Sequence, residues 1–516
     1  MQPGILSKKL LLLFRKGYLQ IKKSLGGNNH LLNPPQSSSI TISTTLSPHL
    51  DNIARRLEGK LLLREEIPLS DSHFQQLITN HYITSVPAVQ KHFLRFSCTR
   101  CQNKDRHLFA LMPCGRCNQT HVYCRHCIEM GRCMSCEQLY YWTGPKYEWE
   151  QHDSPCTWLG KLNNAQELGA ERIKDAILTR KKLITWAVTG AGKTEMLFPG
   201  ISLALQEGMR VCIASPRADV IRELLPRFQT AFRDVSIQAL YSGSRDNDGT
   251  AQLILSTTHQ LYRYRHAFDV LVIDEVDAFP YHKEKSLQLA ADRAQKDRSA
   301  LISLTATPRS HQLKQINSKQ AELVFVPIRF HGHPLIMPKW VMVPKLQKAL
   351  LQSILPKQMD SWLKCRQDKT RQLLIFVPTI HLAKQLEHAV CQLLIKHQTI
   401  KTPNQITNVH AEDTDREEKI ASFRQKKFKA LITTTILERG VTFPSVDVLV
   451  LDAGHQVFDD AALIQITGRA GRSPKDPNGE VVFFHDGLTD SIVKANQSIE
   501  AMNKRRHKLL KQGGKL

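Results

Sequence analysis

From about residue 160 the chain alternates short apolar runs with longer stretches of helical spacing. The runs are LITWAVTG, RVCIASP, LILSTT, VLVIDEVD and ALISLTATP, each closing on Gly, Thr, Asp or Pro. A continuous β-branched run without polar alternation marks a strand buried on both faces, as in parallel sheets. The pattern resumes near residue 370 with LLIFVPT, ITNVHAED, ALITTTIL, VDVLVLDA and VVFFHD. It predicts two doubly wound α/β domains, 141–328 and 329–490, with ligands at the carboxyl ends of their strands.

Residues 1–92 carry no sustained period, and GGNNHLLNPPQSSSITISTTLSP predicts a loop or poorly ordered segment. A cysteine-rich module is expected over 93–140. An aromatic patch follows it, QLYYWTGPKYEWEQHDSPCTWLG. Those rings either stack on bases or pack the module on the next domain, and packing is preferred. The tail, 491–516, ends in NKRRHKLLKQGGKL and reads as a nucleic-acid contact or a solvated helix end.

Charge adds a partner. The 516 residues hold 71 Lys and Arg against 47 Asp and Glu, a net +24. Such an excess favours a polyanion, either nucleic acid or an anionic membrane surface. Every apolar run is too short to cross a bilayer, and Leu10–Phe14 is too short for a signal peptide. The expectation is a cytoplasmic protein. Eight of the twelve cysteines lie between Cys98 and Cys136, which suits metal in a reducing compartment better than disulfides. Cys156, Cys212, Cys365 and Cys391 are isolated and read as small core residues.

Residues 187–194, AVTGAGKT, stand between a predicted strand and a predicted helix. That is the context of a phosphate-binding P-loop, although Ala187 replaces its usual first glycine. Thr189, Gly190, Ala191 and Gly192 are expected to cradle phosphates through backbone N–H groups. Lys193 would reach the β- and γ-phosphates of ATP, and Thr194 would hold Mg²⁺. About eighty residues on, DVLVIDEVD ends another buried strand. Asp274 there is expected to bind Mg²⁺ through water, and Glu275 to orient and deprotonate the attacking water. In the second domain QITGRAGRS sets Gln465, Arg469 and Arg472 together. On a helical turn the two arginines would share one face and reach across a cleft as arginine fingers, tying hydrolysis to domain closure.

The cysteines are spaced CxxC, twelve residues, CxxC, six, CxxC, five, CxxC. Four such turns supply ligands for two structural Cys₄ zinc sites: Cys98, Cys101, Cys114, Cys117, Cys124, Cys127, Cys133 and Cys136. Sequential sites would join the first pair to the second and the third to the fourth; a nested or crossed arrangement is equally allowed. His107, His121 and His126 read as surface residues while eight thiols are available. Arg116, Arg125 and Arg132 make the module basic.

Taken together, AVTGAGKT, DEVD, SLTATP (303–308), TTTILERGVTF (433–443) and QITGRAGRS resemble the motifs of helicase superfamily 2. That resemblance implies two tandem RecA-like P-loop domains behind the zinc module. It also implies a phosphate-sensing turn at Gly440 and an adenine-reading Gln166. DEVDAFPY (274–281), SPRADVIREL (215–224), RFHGHPL (329–335) and NVHAED (408–413) are similar to the late-competence DNA-uptake ATPases, the ComFA family. PriA, the replication-restart helicase, is the nearest cousin but carries its zinc module between the motor domains.

By the same resemblance Ser215, Pro216, Arg217, Thr257, Thr258 and Gln260 would touch the backbone of one strand. Thr433, Thr434 and Thr435 would do so from the second domain. The implied activity is ATP-driven translocation of single-stranded DNA during natural transformation. It would operate at the inner face of the membrane beside the channel ComEC, with ComFC as partner, and allows a homo-oligomer. The alternatives are a PriA-like duplex helicase of restart or repair, and a zinc-dependent DNA-binding or assembly protein with an inactive motor.

Overall fold

The computed structural model describes residues 48–511 except 94 and 247. The expectations for the segment before residue 48 lie outside the described residues.

Residues 48–142 form one unit in which the cysteines are an inset. Helices Pro48–Leu57 and Asp71–Thr79 pack on a three-stranded sheet. Its central strand, Gln138–Trp142, follows the last cysteine and pairs antiparallel with Leu62–Leu63 and Ile83–Pro87, which precede the first. Two hairpins carry the cysteines, Val89–His92 with Arg95–Cys98 and Phe109–Pro113 with Thr120–Cys124. The module expected at 93–140 therefore extends back to residue 48.

The aromatic patch packs. Tyr140 meets Phe74 edge-on at 5.0 Å, Trp158 meets Phe198 at 5.5 Å, and Arg210 stacks over Trp149 at 4.6 Å. Tyr140 packs within the cysteine unit, and Trp149 and Trp158 fasten the incoming chain to the first α/β domain.

The two α/β domains are present, each on a fully parallel sheet. In the first the order is Ile237–Leu240, Leu253–Thr257, Val211–Ser215, Phe268–Ile273, Gln295–Thr305, Lys182–Ala187, Glu322–Val326. In the second it is Lys339–Met342, Val481–His485, Val446–Leu451, Gln372–Phe376, Ala430–Thr433, Ile406–Val409. Central strands are buried along their whole length, which is why their sequences show no alternation. The three strands missing from the sequence reading, Ile237–Leu240, Glu322–Val326 and Lys339–Met342, are all at sheet edges, where burial and apolar character thin out.

One expectation is corrected and another filled in. The tail is a helix end whose basic residues Lys504, Arg505, Lys508 and Lys511 stay exposed while its other face packs. Helix Asp490–Lys511 buries Met502 and Leu509, and its Asn503 exchanges hydrogen bonds of 2.8 and 2.9 Å with the backbone of Leu335 in the interdomain linker. Arg506 donates to the Gly332 carbonyl at 2.7 Å, and Arg505 lies 4.9 Å over Phe325 of the first domain. Cys365, expected in the core, is exposed at the end of its helix, whereas Cys212 and Cys391 are buried.

Candidate functional site

Strand Lys182–Ala187 runs through 188–192 into helix Lys193–Gln206. Gly190 and Gly192 take φ of 78° and 75°, a region that L side chains resist, so the loop folds tightly onto the helix N-terminus. Between the two sheets this loop opens on a cavity of about 710 Å³. Gln166, Thr189, Lys193, Thr194, Asp274 and Glu275 line it from the first domain, and Gly440, Gln465, Arg469 and Arg472 from the second. Residues spread over three hundred positions are thus brought to one cleft at the carboxyl ends of both sheets.

Asp274 follows strand Phe268–Ile273 directly, and its Oδ1 accepts the Glu275 N–H at 2.9 Å. Burial and the neighbouring Glu275 push the Asp274 carboxyl up to about 6, with Lys193 acting against them. Glu275 adopts φ 57°, a left-handed backbone costly for a non-glycine residue, and its Oε2 is buried without a hydrogen-bond partner. The Asp274 and Glu275 carboxylates, with the Thr194 hydroxyl in the same cavity, are a donor set that fits Mg²⁺ and its waters.

Gln166 is already engaged. Its amide nitrogen donates to the Ala191 carbonyl at 2.9 Å, and its oxygen accepts the Asn163 N–H at 2.9 Å. It braces the phosphate loop as well as facing the cavity.

The arginines are placed differently from the expectation of a shared helical turn. Helix Asp460–Thr467 stops before them, because Gly468 caps it and Gly471 turns at φ 63°. Arg469 donates to the Glu438 carbonyl at 2.9 and 2.7 Å, and Arg472 to the Gly468 carbonyl at 2.9 Å. Burial lowers the pKa of both. One terminal nitrogen of Arg469 is buried without a partner.

Asp277 and Arg439 join the domains, and sequence reading passed over both. The Arg439 guanidinium donates to Asp277 Oδ2 at 2.6 Å, with both side chains almost fully buried. Thr305 and Thr307 donate to the same carboxylate at 2.7 and 2.5 Å. Burial alone would raise Asp277, but Arg439 and these donors hold it well below the usual carboxylate range. The signals were present: Asp277 is the last carboxylate of DEVD, and Arg439 precedes Gly440. Arg329 bridges similarly, donating to the Gly471 carbonyl at 2.6 Å while Phe330 N–H donates to Gly190 at 2.9 Å.

The strand-contact residues fare unevenly. Ser215, Pro216 and Thr258 are buried, and Thr433 donates to the Val409 carbonyl at 2.9 Å. Arg217 reaches across the cleft to Glu438 at 2.9 Å and to the carbonyls of Thr435 and Ile436. Thr257, Gln260, Thr434 and Thr435 remain partly exposed.

Of the cysteine arrangements, the sequential one is excluded. The thiols of Cys98, Cys101, Cys124 and Cys127 converge and are all buried, so the first pair joins the third. Cys98 and Cys127 sulfurs are 3.7 Å apart, and Cys101 and Cys124 sulfurs 3.6 Å. Two thiolates on one tetrahedral zinc stand about 3.8 Å apart, given Zn–S of about 2.3 Å, so the donor set fits. Cys114, Cys117 and Cys136 form a second group. Cys133, expected with Cys136, faces Cys98 and Cys127 instead. His126 is no free surface residue: it contacts Ser286 Oγ at 2.8 Å and docks the unit on the first domain. Arg293 does the same, donating to the carbonyls of Thr99, Arg100, Tyr262 and Tyr264.

Residues 46–141 match the family described as the competence protein ComFA N-terminal domain. Residues 159–310 match the type III restriction enzyme res subunit, and 350–474 the helicase conserved C-terminal domain. The competence protein ComFA of Bacillus subtilis is 40% identical over 451 residues, 87% of this chain and 95% of that protein. Its counterpart in Streptococcus pneumoniae is 38% identical over 456 residues, covering 88% and 98%. Among solved structures, the Mycobacterium smegmatis helicase Lhr bound to ssDNA and AMP-PNP shares the fold, with TM-score 0.50 and 18% identity over 66% of this chain and 48% of that one. Two RecA-like helicase domains behind an N-terminal cysteine unit, with this identity along almost the whole chain, place the protein in the ComFA family of competence proteins.

Proposed function

We propose that the chain is an ATP-dependent single-stranded-DNA translocase that drives DNA import during natural transformation. The observation that carries this reading is the closed cleft, where the phosphate loop and DEVD of one domain meet Arg439, Arg469 and Arg472 of the other.

The backbone around Gly190–Gly192 and the Lys193 ammonium bind the nucleotide's phosphates. Thr194 and Asp274 would hold Mg²⁺, which would neutralise phosphate charge. Glu275, whose Oε2 accepts no hydrogen bond and faces the Arg439 guanidinium at 3.9 Å, orients a water and takes its proton. Arg469 brings an unpaired donor to the same cavity, so charge arriving there draws the second domain in. Loss of the terminal phosphate removes that attraction and lets the cleft open.

Thr257, Gln260, Thr434 and Thr435, half-exposed on the two domains, grip the sugar–phosphate backbone without reading sequence. The buried Ser215 and Thr258 shape those loops. The cysteine clusters would hold two structural zinc ions. Family membership supports work beside the channel ComEC with ComFC, and a homo-oligomer is compatible with it. Among the described residues no helix is long and apolar enough to cross a membrane.

The test is ATP hydrolysis with single-stranded DNA, duplex DNA and RNA at matched salt, alongside a strand-separation assay. Strong stimulation by single-stranded DNA alone, lost in Lys193→Ala and weakening steeply with salt, is expected. Strand separation would make it a duplex helicase. Turnover unchanged in Lys193→Ala would end the motor reading.

A further inference from the structure

We propose that the second cysteine cluster is a Cys₃His zinc centre, completed by His121 and not by Cys133. The proposal rests on the reading that the clusters hold metal, and it alters which residues do so.

The eight thiols do not divide four and four. Around the first cluster there are five. Cys98, Cys101, Cys124 and Cys127 converge within 4.8 Å of one another, which completes a tetrahedral set. Cys133 is a fifth, fully buried, with its thiol turned to Cys98 and Cys127 and close to the Arg100 guanidinium. Its backbone is fixed there, since the Cys124 N–H donates to the Cys133 carbonyl at 3.0 Å and Tyr123 bridges Met134. Those backbone bonds hold Cys133 beside the first cluster.

The second cluster then has only three thiols, Cys114, Cys117 and Cys136. Cys114 and Cys136 sulfurs are 3.8 Å apart, the spacing two thiolates keep on one zinc. A fourth donor is adjacent. His121 Nε2 stands 3.0 Å from Cys117 Sγ. An imidazole nitrogen and a thiolate sharing one zinc keep about 3.6 Å. The His121 nitrogens do not lie within 4.8 Å of all three sulfurs, so the ring must swing towards the rest of the cluster to complete the shell.

Two features aim the ring. His121 and Cys124 are three residues apart on strand Thr120–Cys124, so they face opposite sides, one to each cluster. The other ring nitrogen, Nδ1, lies 3.3 Å from Ser135 Oγ, which also accepts the Val122 N–H at 3.2 Å. A proton on Nδ1 donated to Ser135 leaves the Nε2 lone pair free for metal, the usual support of a zinc-bound histidine. Cys117 and Cys136 are exposed, so this centre is the more accessible of the two.

The experiment is metal counting on the full chain, with ¹¹³Cd NMR of the cadmium-loaded wild type as a measurement that needs no mutation. Two resonances are expected, one of an S₄ and one of an S₃N environment. Zinc should fall from two per chain to one in His121→Ala, return to two in His121→Cys, and stay at two in Cys133→Ser. Two S₄ resonances, or loss of one zinc in Cys133→Ser but not in His121→Ala, would overturn the proposal. One zinc in the wild type, unaffected by His121→Ala, would overturn it while keeping the first centre. No bound zinc at all would instead defeat the metal reading beneath it.

Discussion

Arg439→Met removes the one cation that neutralises Asp277 across the cleft. In the closed protein that carboxylate is fully buried and meets Arg439 at 2.6 Å, with Thr305 and Thr307 as its other donors. Breaking a buried pair by deleting one partner costs about 3–5 kcal/mol, because the remaining charge is stranded without solvent. When the domains part, water can reach Asp277, so the penalty falls on closure and not on the fold of either domain. At about 3 kcal/mol the closed population drops by roughly 10²-fold. Interdomain energy transfer, with one dye on each domain, should show Arg439→Met failing to close with an ATP analogue. Its kcat should fall in step, while ADP affinity, carried by the first domain, should change little. Asp277→Asn in the same background should recover part of the loss, since it removes the stranded charge. Normal closure in Arg439→Met, or strictly additive effects in the double variant, would refute the reasoning.

Three further outcomes follow from the same packing. Arg293→Met deprives four carbonyls of their donor and should weaken docking of the cysteine unit by about 2–4 kcal/mol; faster hydrogen exchange at 98–101 and 260–264 checks it. Asn503→Ala breaks both bonds to Leu335 and should speed exchange at 332–337 with nucleotide binding to the first domain intact, so an unchanged linker would count against the clamp. Burial pulls the Lys60 amine down to about 7, so between about 7 and 10.5 the folded state holds fewer protons than the unfolded one. Stability from this group therefore rises with pH, by up to about 1.4 kcal/mol per unit, and is lost as pH falls towards 7. Lys60→Met should melt higher than wild type near pH 7, with the gap narrowing by pH 10; a constant gap would contradict the assignment.

Much of this was legible in the chain because the chemistry is local. A phosphate loop needs its glycines, lysine and threonine within a few residues, and 189–194 supply them. A central parallel strand must be apolar on both faces, and Val211–Ser215 and Val446–Leu451 announce themselves so. Edge strands such as Lys339–Met342 carry no such mark, and residues 48–92 were passed over because their partner strand, Gln138–Trp142, comes after the cysteines.

The sequence by itself determined the two parallel sheets, the glycine-rich turn from strand into helix at 188–194 and the presence of paired thiols, since each depends on residue types at short spacing. Only the tertiary structure decided which distant groups meet. It joined Asp277 to Arg439, carried Arg217 across the cleft to Glu438, and folded the basic tail onto the linker. It also separated Cys133 from Cys136 and brought His121 to Cys117. The physical reason is that a CxxC spacing says two thiols can share an ion. Which side of a hairpin each thiol faces is set by strand pairing, and that pairing is fixed by the packing of the whole unit.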